Sequence, residues 1–135
     1  EIIHTLGKVP EVEERDSEYD WLLLGVDIEK EQLHENIHRR LEERLDQGMI
    51  AEVQRLLDAG VTPKRLDDFG LEYRYILKYI QKEIAYEEMG GQIETKSHQF
   101  AKRQLTWLKR YPEVVWVKPK NISEIFRLTA DFLTQ

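Results

Sequence analysis

The chain predicts a mostly α-helical fold with two short strands, and three observations predict it. WLLLGVDI (21–28) and VVWVKP (114–119) are continuous apolar runs of strand length, bounded by polar or turn residues. Between them, apolar residues recur at three- and four-residue steps, the period of an amphipathic helix. Both strand candidates are apolar on both faces, as in the middle of a covered sheet, so they read as two strands of a sheet whose remainder is elsewhere.

Taken in order, EIIHTLGKVPEVEERDSEYD is a short apolar turn followed by a charged, Gly/Pro-punctuated connector. After the first strand, KEQLHENIHRRLEERLDQG places Leu33, Ile37, Leu41 and Leu45 on one face, with Gly48 as the stop. MIAEVQRLLDAG gathers Met49, Ile50, Val53, Leu56 and Leu57 and ends at Gly60. VTPKRLDDFG reads as a turn-rich loop, with Asp67 or Asp68 as N-cap of the next helix. LEYRYILKYIQKEI carries Tyr75, Ile76, Tyr79 and Ile80 on one side. YEEMGGQIETKSHQFAKRQLTWLKR is a further helix, weakened at Gly90-Gly91 and closed by Pro112. NISEIFRLTADFL forms a terminal amphipathic helix capped by Asn121 or Ser123. The expected organisation is a connector and core strand over 1–28, a helical region over 29–111, and a final strand and terminal helix over 112–135.

Composition bounds the function. The 135 residues are ordinary for a globular chain, with 41% hydrophobic and 34% charged residues. Without cysteine, disulfides and thiolate metal sites are excluded, in keeping with a reducing cytoplasm. No apolar run reaches the length of a membrane span. The chain begins Glu-Ile-Ile without an initiator Met, as a piece of something larger would. His34 and His38 have i, i+4 spacing but lack the H-E-x-x-H order, so two polar-face histidines explain them better than zinc; His4 and His98 lie apart.

The net charge of −6 is unevenly spread: carboxylates crowd the first sixty residues, whereas Lys96, Lys102, Arg103, Lys109 and Arg110 follow one another without a carboxylate between them. On that helix Ile93, Ser97, Phe100, Gln104, Trp107 and Leu108 share one arc, which expects Gln104 to face the core and hydrogen-bond a specific partner. Two readings stand. The cations form a solvated face, or Lys102 and Arg103 grip phosphate from RNA or a diphosphate. Arg40 and Arg44, one turn apart at the edge of an apolar arc, are open in the same way: a local pair with Glu43 or its neighbours, or guanidiniums aimed into a cleft. No G-x-x-x-x-G-K-[ST] or G-x-G-x-x-G segment and no nucleophile elbow is present, so these residues do not by themselves describe a complete active centre.

HQFAKRQLTWLKRYPEVVWV resembles the C-terminal signature of the tRNA dimethylallyltransferases, an A-K-R-Q-x-T-W helix end before a strand with a tryptophan. The likeness runs over nearly the whole chain. EIIHTLGKVP is similar to the segment after the family's arginine-rich run. WLLLGVDIEKEQLHENIHRRLEERLDQGMIAEVQRLLDAG is similar to its strand, arginine-bearing helix and E-V-x-x-L helix; FGLEYRYILKYIQ takes the place of its G-Y-x-E segment and IAYEEM that of the helix start beyond.

The resemblance implies the C-terminal fragment of an α/β fold like that of the phosphate-loop nucleotide kinases, with an inserted helical domain. It implies transfer of a dimethylallyl group from dimethylallyl diphosphate to the N6 amine of the adenosine 3′-adjacent to the anticodon, on a base extruded from its stack. It implies Mg²⁺ held by residues outside this chain, a tRNA anticodon stem-loop as partner, a cytoplasmic location, no membrane and a monomeric complete enzyme. Carried over, Arg40 matches an arginine that reaches toward the diphosphate. Lys102, Arg103 and Gln104 match the K-R-Q run, with Arg103 foremost for phosphate, and Thr106 and Trp107 match residues that pack. Asp67 to Glu72, with Phe69 and Gly70, match a segment that touches tRNA. This sequence departs from the pattern at Asn36, Arg44, Asp67, Asp68, Leu71, Glu72, Ser97 and His98, which points to altered RNA contacts. The alternative is a stand-alone helical RNA-binding or scaffold module without catalysis.

Overall fold

The computed structural model describes residues 19–134; the amino-terminal connector and His4 lie outside them. The order is β1 (Leu24–Val26), α1 (Lys30–Asp46), α2 (Met49–Asp58), α3 (Pro63–Phe69), α4 (Leu71–Ile80), α5 (Tyr86–Leu108), β2 (Val115–Val117) and α6 (Ile122–Leu133). The fold is mostly helical with two strands.

Helices α1 to α5 enclose the core. Leu41 of α1, Met49 and Val53 of α2, Leu66 of α3, Ile76 and Leu77 of α4, and Met89 and Ile93 of α5 form one buried cluster. Each helix supplies its apolar stripe, and the stops fall where the backbone turns left-handed: Gly48 has φ 89° and Gly60 φ 87°, a conformation a Cβ would oppose.

The segment 61–70 is not the loop expected of it. Pro63 at the first helical position has a preset φ, and the Thr62 hydroxyl accepts a hydrogen bond from the Arg65 N–H at 3.3 Å, so a short helix starts there. This buries Leu66 completely. Neither Asp67 nor Asp68 caps α4: Gly70 holds that position, and Asp67 is engaged by Arg74.

The strands are shorter than their apolar runs. Leu24–Val26 pairs in parallel with Val115–Val117, Gly25 opposite Trp116. A Cβ at Gly25 would come within 2.8 Å of the Trp116 ring and of Val114, so the close pairing needs glycine there. Val114 and Val117 are buried, yet Trp21, Val26, Val115 and Trp116 remain exposed, so the sheet is not covered on both faces among the described residues. Helix α6 is capped reciprocally by Asn121, whose amide oxygen accepts from the Glu124 N–H while its nitrogen donates to the Glu124 carboxylate. No residue of α6 is buried; Ile122, Phe126 and Leu133 lie open.

Candidate functional site

The amino-terminal part of α5 packs into the core at Met89 and Ile93, but from Phe100 onward none of its residues is buried. This corrects the expected arc. Gln104 faces solvent instead of the core, and Phe100 and Trp107 are half exposed, because the apolar stripe of α5 runs on beyond the helices that cover its start. Thr106 donates back to the Lys102 carbonyl, and Trp107 tilts against Tyr111 at 4.7 Å between ring centroids.

The uncovered stretch of α5 forms one wall of a cleft of about 1080 Å³. Leu33, Ile37, Arg40 and Arg44 of α1 line it, together with the α3–α4 junction from Asp67 to Tyr75 and Lys96, Phe100, Arg103 and Gln104 of α5. Arg40, Phe69, Gly70, Arg103 and Gln104, five of the residues singled out in the sequence, are thus brought together. Lys102 is exposed outside the lining.

The charges of the cleft are arranged in a definite way. Glu72, in the first turn of α4, receives Arg44 Nη1 on Oε2 at 2.5 Å and faces Arg40 Nη2 with Oε1 at 3.6 Å. The partner of both arginines is therefore a residue of another helix, not Glu43, which pairs with Arg39 at 3.7 Å. Arg74 holds Asp67 through two nitrogens. Tyr73 donates to Glu52 Oε1 at 2.5 Å, and this bond, with burial and the Glu52 charge, raises its phenol above the ordinary tyrosine range. Arg103 lies over the Phe100 ring at 5.9 Å, with no carboxylate within ion-pair distance among the described residues. Lys96, also unpaired with a carboxylate there, approaches Gln99. Phe69 meets Tyr73 edge-on and takes the Arg65 guanidinium over its face, leaving nearly half of its surface open.

Sequence pattern alone did not single out Glu72, Tyr73 or Arg74, whose partners lie on other helices. The i+4 step from Arg40 to Arg44 was the available signal.

His34, His38 and His98, the histidines among the described residues, take no metal-ligating arrangement. His34 and His98 stack with ring centroids 3.9 Å apart, and His38 lies 3.4 Å from both Glu42 and Glu94. Among the described residues no group of three His, Cys, Asp or Glu side chains is placed to hold a metal ion, and no helix is long and apolar enough to cross a membrane.

The sequence model of the IPP transferase family matches residues 1–111. A tRNA dimethylallyltransferase 2 of Bacteroides fragilis is 46% identical over 110 residues, 81% of this chain and 36% of that protein. A tRNA dimethylallyltransferase 1 of Parabacteroides distasonis is 45% identical over 100 residues, 71% of this chain and 33% of its own length. Among solved structures, the tRNA isopentenylpyrophosphate transferase of Bacillus halodurans superimposes with a TM-score of 0.77 at 28% identity, over 87% of this chain and 41% of that one. The corresponding protein of Staphylococcus epidermidis gives 0.75 at 27% identity, over 87% and 39%. This chain spans about a third of the length of the curated relatives it matches.

Proposed function

Because this chain belongs to the IPP transferase family, we propose that its cleft handles phosphate groups while a dimethylallyl group passes from dimethylallyl diphosphate to the N6 amine of the adenosine 3′-adjacent to the tRNA anticodon. The observation that carries this reading is the meeting of Arg40 and Arg44 from α1 with Lys96 and Arg103 from α5 on one cleft, in a chain of net charge −6. The reaction breaks the C–O bond to the diphosphate, which leaves with the electron pair, and forms a C–N bond as the amine loses a proton. Negative charge on the departing oxygens is what fixed guanidinium groups stabilise, and they do so best where water is partly excluded. Phe69 and Phe100 offer flat apolar surface on the same cleft, suited to an unstacked base or its neighbours. Gln104, exposed at the cleft, has a free amide for a base edge or sugar.

The Mg²⁺ implied by the family does not fit these residues. Of the three cleft carboxylates, Asp67 and Glu72 are engaged by arginines, which leaves Asp68 alone, and no metal-holding cluster exists among the described residues. The charge neutralisation derived for this chain is that of its guanidinium groups. The reading includes a cytoplasmic, monomeric complete enzyme, to whose length this chain corresponds in about a third.

A second reading, a helical RNA-binding module without catalysis, draws support from the core closed among α1 to α5. Both readings give the same first test. Arg103→Ala should weaken binding of an anticodon stem-loop RNA and flatten the slope of log affinity against log salt by about one; an unchanged slope would assign Arg103 to packing. A transfer assay with dimethylallyl diphosphate separates the readings only in the full-length context. The 135 residues alone are expected to leave the RNA unmodified, and prenylated RNA would overturn that expectation.

A further inference from the structure

Arg40 and Arg44 share one carboxylate unequally. Arg44 is held by Glu72 Oε2 at 2.5 Å with its side chain 39% exposed, whereas Arg40 stands 3.6 Å from Oε1 and is 62% exposed. Glu72 itself is only 15% exposed, so its carboxylate is the fixed point and the guanidiniums arrange around it. Its place in the first turn of α4, where the helix dipole favours a negative charge, adds to that fixity. Any anion entering the cleft therefore meets Arg40 already loosely paired, and must compete with Oε1 for it. Arg44 stays behind.

We propose that Glu72 is a positioning residue: it holds Arg40 over the cleft through one oxygen, anchored by Arg44 on the other, and yields Arg40 to an incoming phosphate group. The inference rests on the reading of the cleft as a phosphate-handling site. It adds a carboxylate that sets how strongly the site takes an anion, by withholding part of the charge of Arg40 until one arrives. The phosphate can belong to a diphosphate or to an RNA backbone; the oxyanion chemistry is the same.

The test is a calorimetric titration of the chain at low salt with inorganic pyrophosphate and, separately, with an anticodon stem-loop RNA. It uses the unaltered protein, Glu72→Gln, Arg40→Gln and the double variant. Glu72→Gln should tighten binding about two- to fivefold, the scale of an exposed ion pair removed from competition. The tightening should shrink when Arg40 is glutamine, what is left being the charge of the freed Arg44. Glu72→Asp, which keeps the charge but draws the carboxylate back by one methylene, should give a smaller gain and guards against a Gln variant that fails to fold. A merely structural Glu72 would instead weaken binding when replaced, with or without Arg40. Tightening with pyrophosphate assigns the phosphate to a diphosphate, and tightening with RNA alone assigns it to the backbone. If Arg40→Gln weakens binding but Glu72→Gln does not tighten it, the positioning role is overturned and the phosphate site stands. If neither probe senses Arg40, both fall.

Discussion

Tyr73 joins two helices through a single hydrogen bond to a carboxylate, and that bond can be tested by its pH dependence. Its hydroxyl donates to Glu52, and that bond, followed by burial and the carboxylate charge, favours the neutral phenol in the fold. A raised folded-state value makes the sign definite: the stabilisation is fully present below the ordinary tyrosine value near ~10 and is lost as pH rises through the folded one. Tyr73→Phe should cost about 1 kcal/mol at neutral pH. The gap between the two proteins, followed by urea unfolding, should close at strongly alkaline pH; a constant gap would mean that packing, not the hydroxyl, is responsible. Single residues were also where the sequence spoke least evenly. Arg40 and Arg44 could be placed at the edge of a helical face, but the identity of their partner could not, because Glu72 reaches them through a tertiary contact that periodicity does not encode. Gln104 was misplaced for a related reason: period locates an arc, but not how far along a helix its neighbours continue.

Among elements, α5 is the informative one. It runs unbroken through Gly90-Gly91, and a Cβ at either glycine meets nothing within 4 Å beyond the helix itself. The glycines therefore carry the entropic cost without a packing need. Gly91→Ala, at an exposed position, should raise stability by about 1 kcal/mol, measured as a higher midpoint in urea; a fall would reveal a role for bare backbone at that turn. The helices themselves were readable because amphipathic period and glycine stops coincide, as at Gly48 and Gly60. Segment 61–70 was not, since Thr-Pro followed by Asp-Asp fits a turn as well as a short capped helix. What decides it is the burial of Leu66, a tertiary fact.

For the molecule as a whole, stability resides in the helical layer. Ile76 is fully enclosed at the junction of the packed helices, so Ile76→Ala should destabilise the chain by about 2–5 kcal/mol in chemical denaturation. A loss below 1 kcal/mol would show that the core collapses around the gap. The fold class was legible from two apolar runs separated by helical period. The extent of pairing was not, because a run apolar on both faces gives strand length only when both faces meet partners. Here β1 and β2 pair over Leu24–Val26 and Val115–Val117 and leave Trp116 and Val26 partly open. That pairing also has a meaning for chain closure. Pairing Leu24 with Val115 closes a loop that contains five helices, an entropic cost that local structure lowers by shortening the loop. The small sheet is thus a latch whose two halves are carried together by the helices between them.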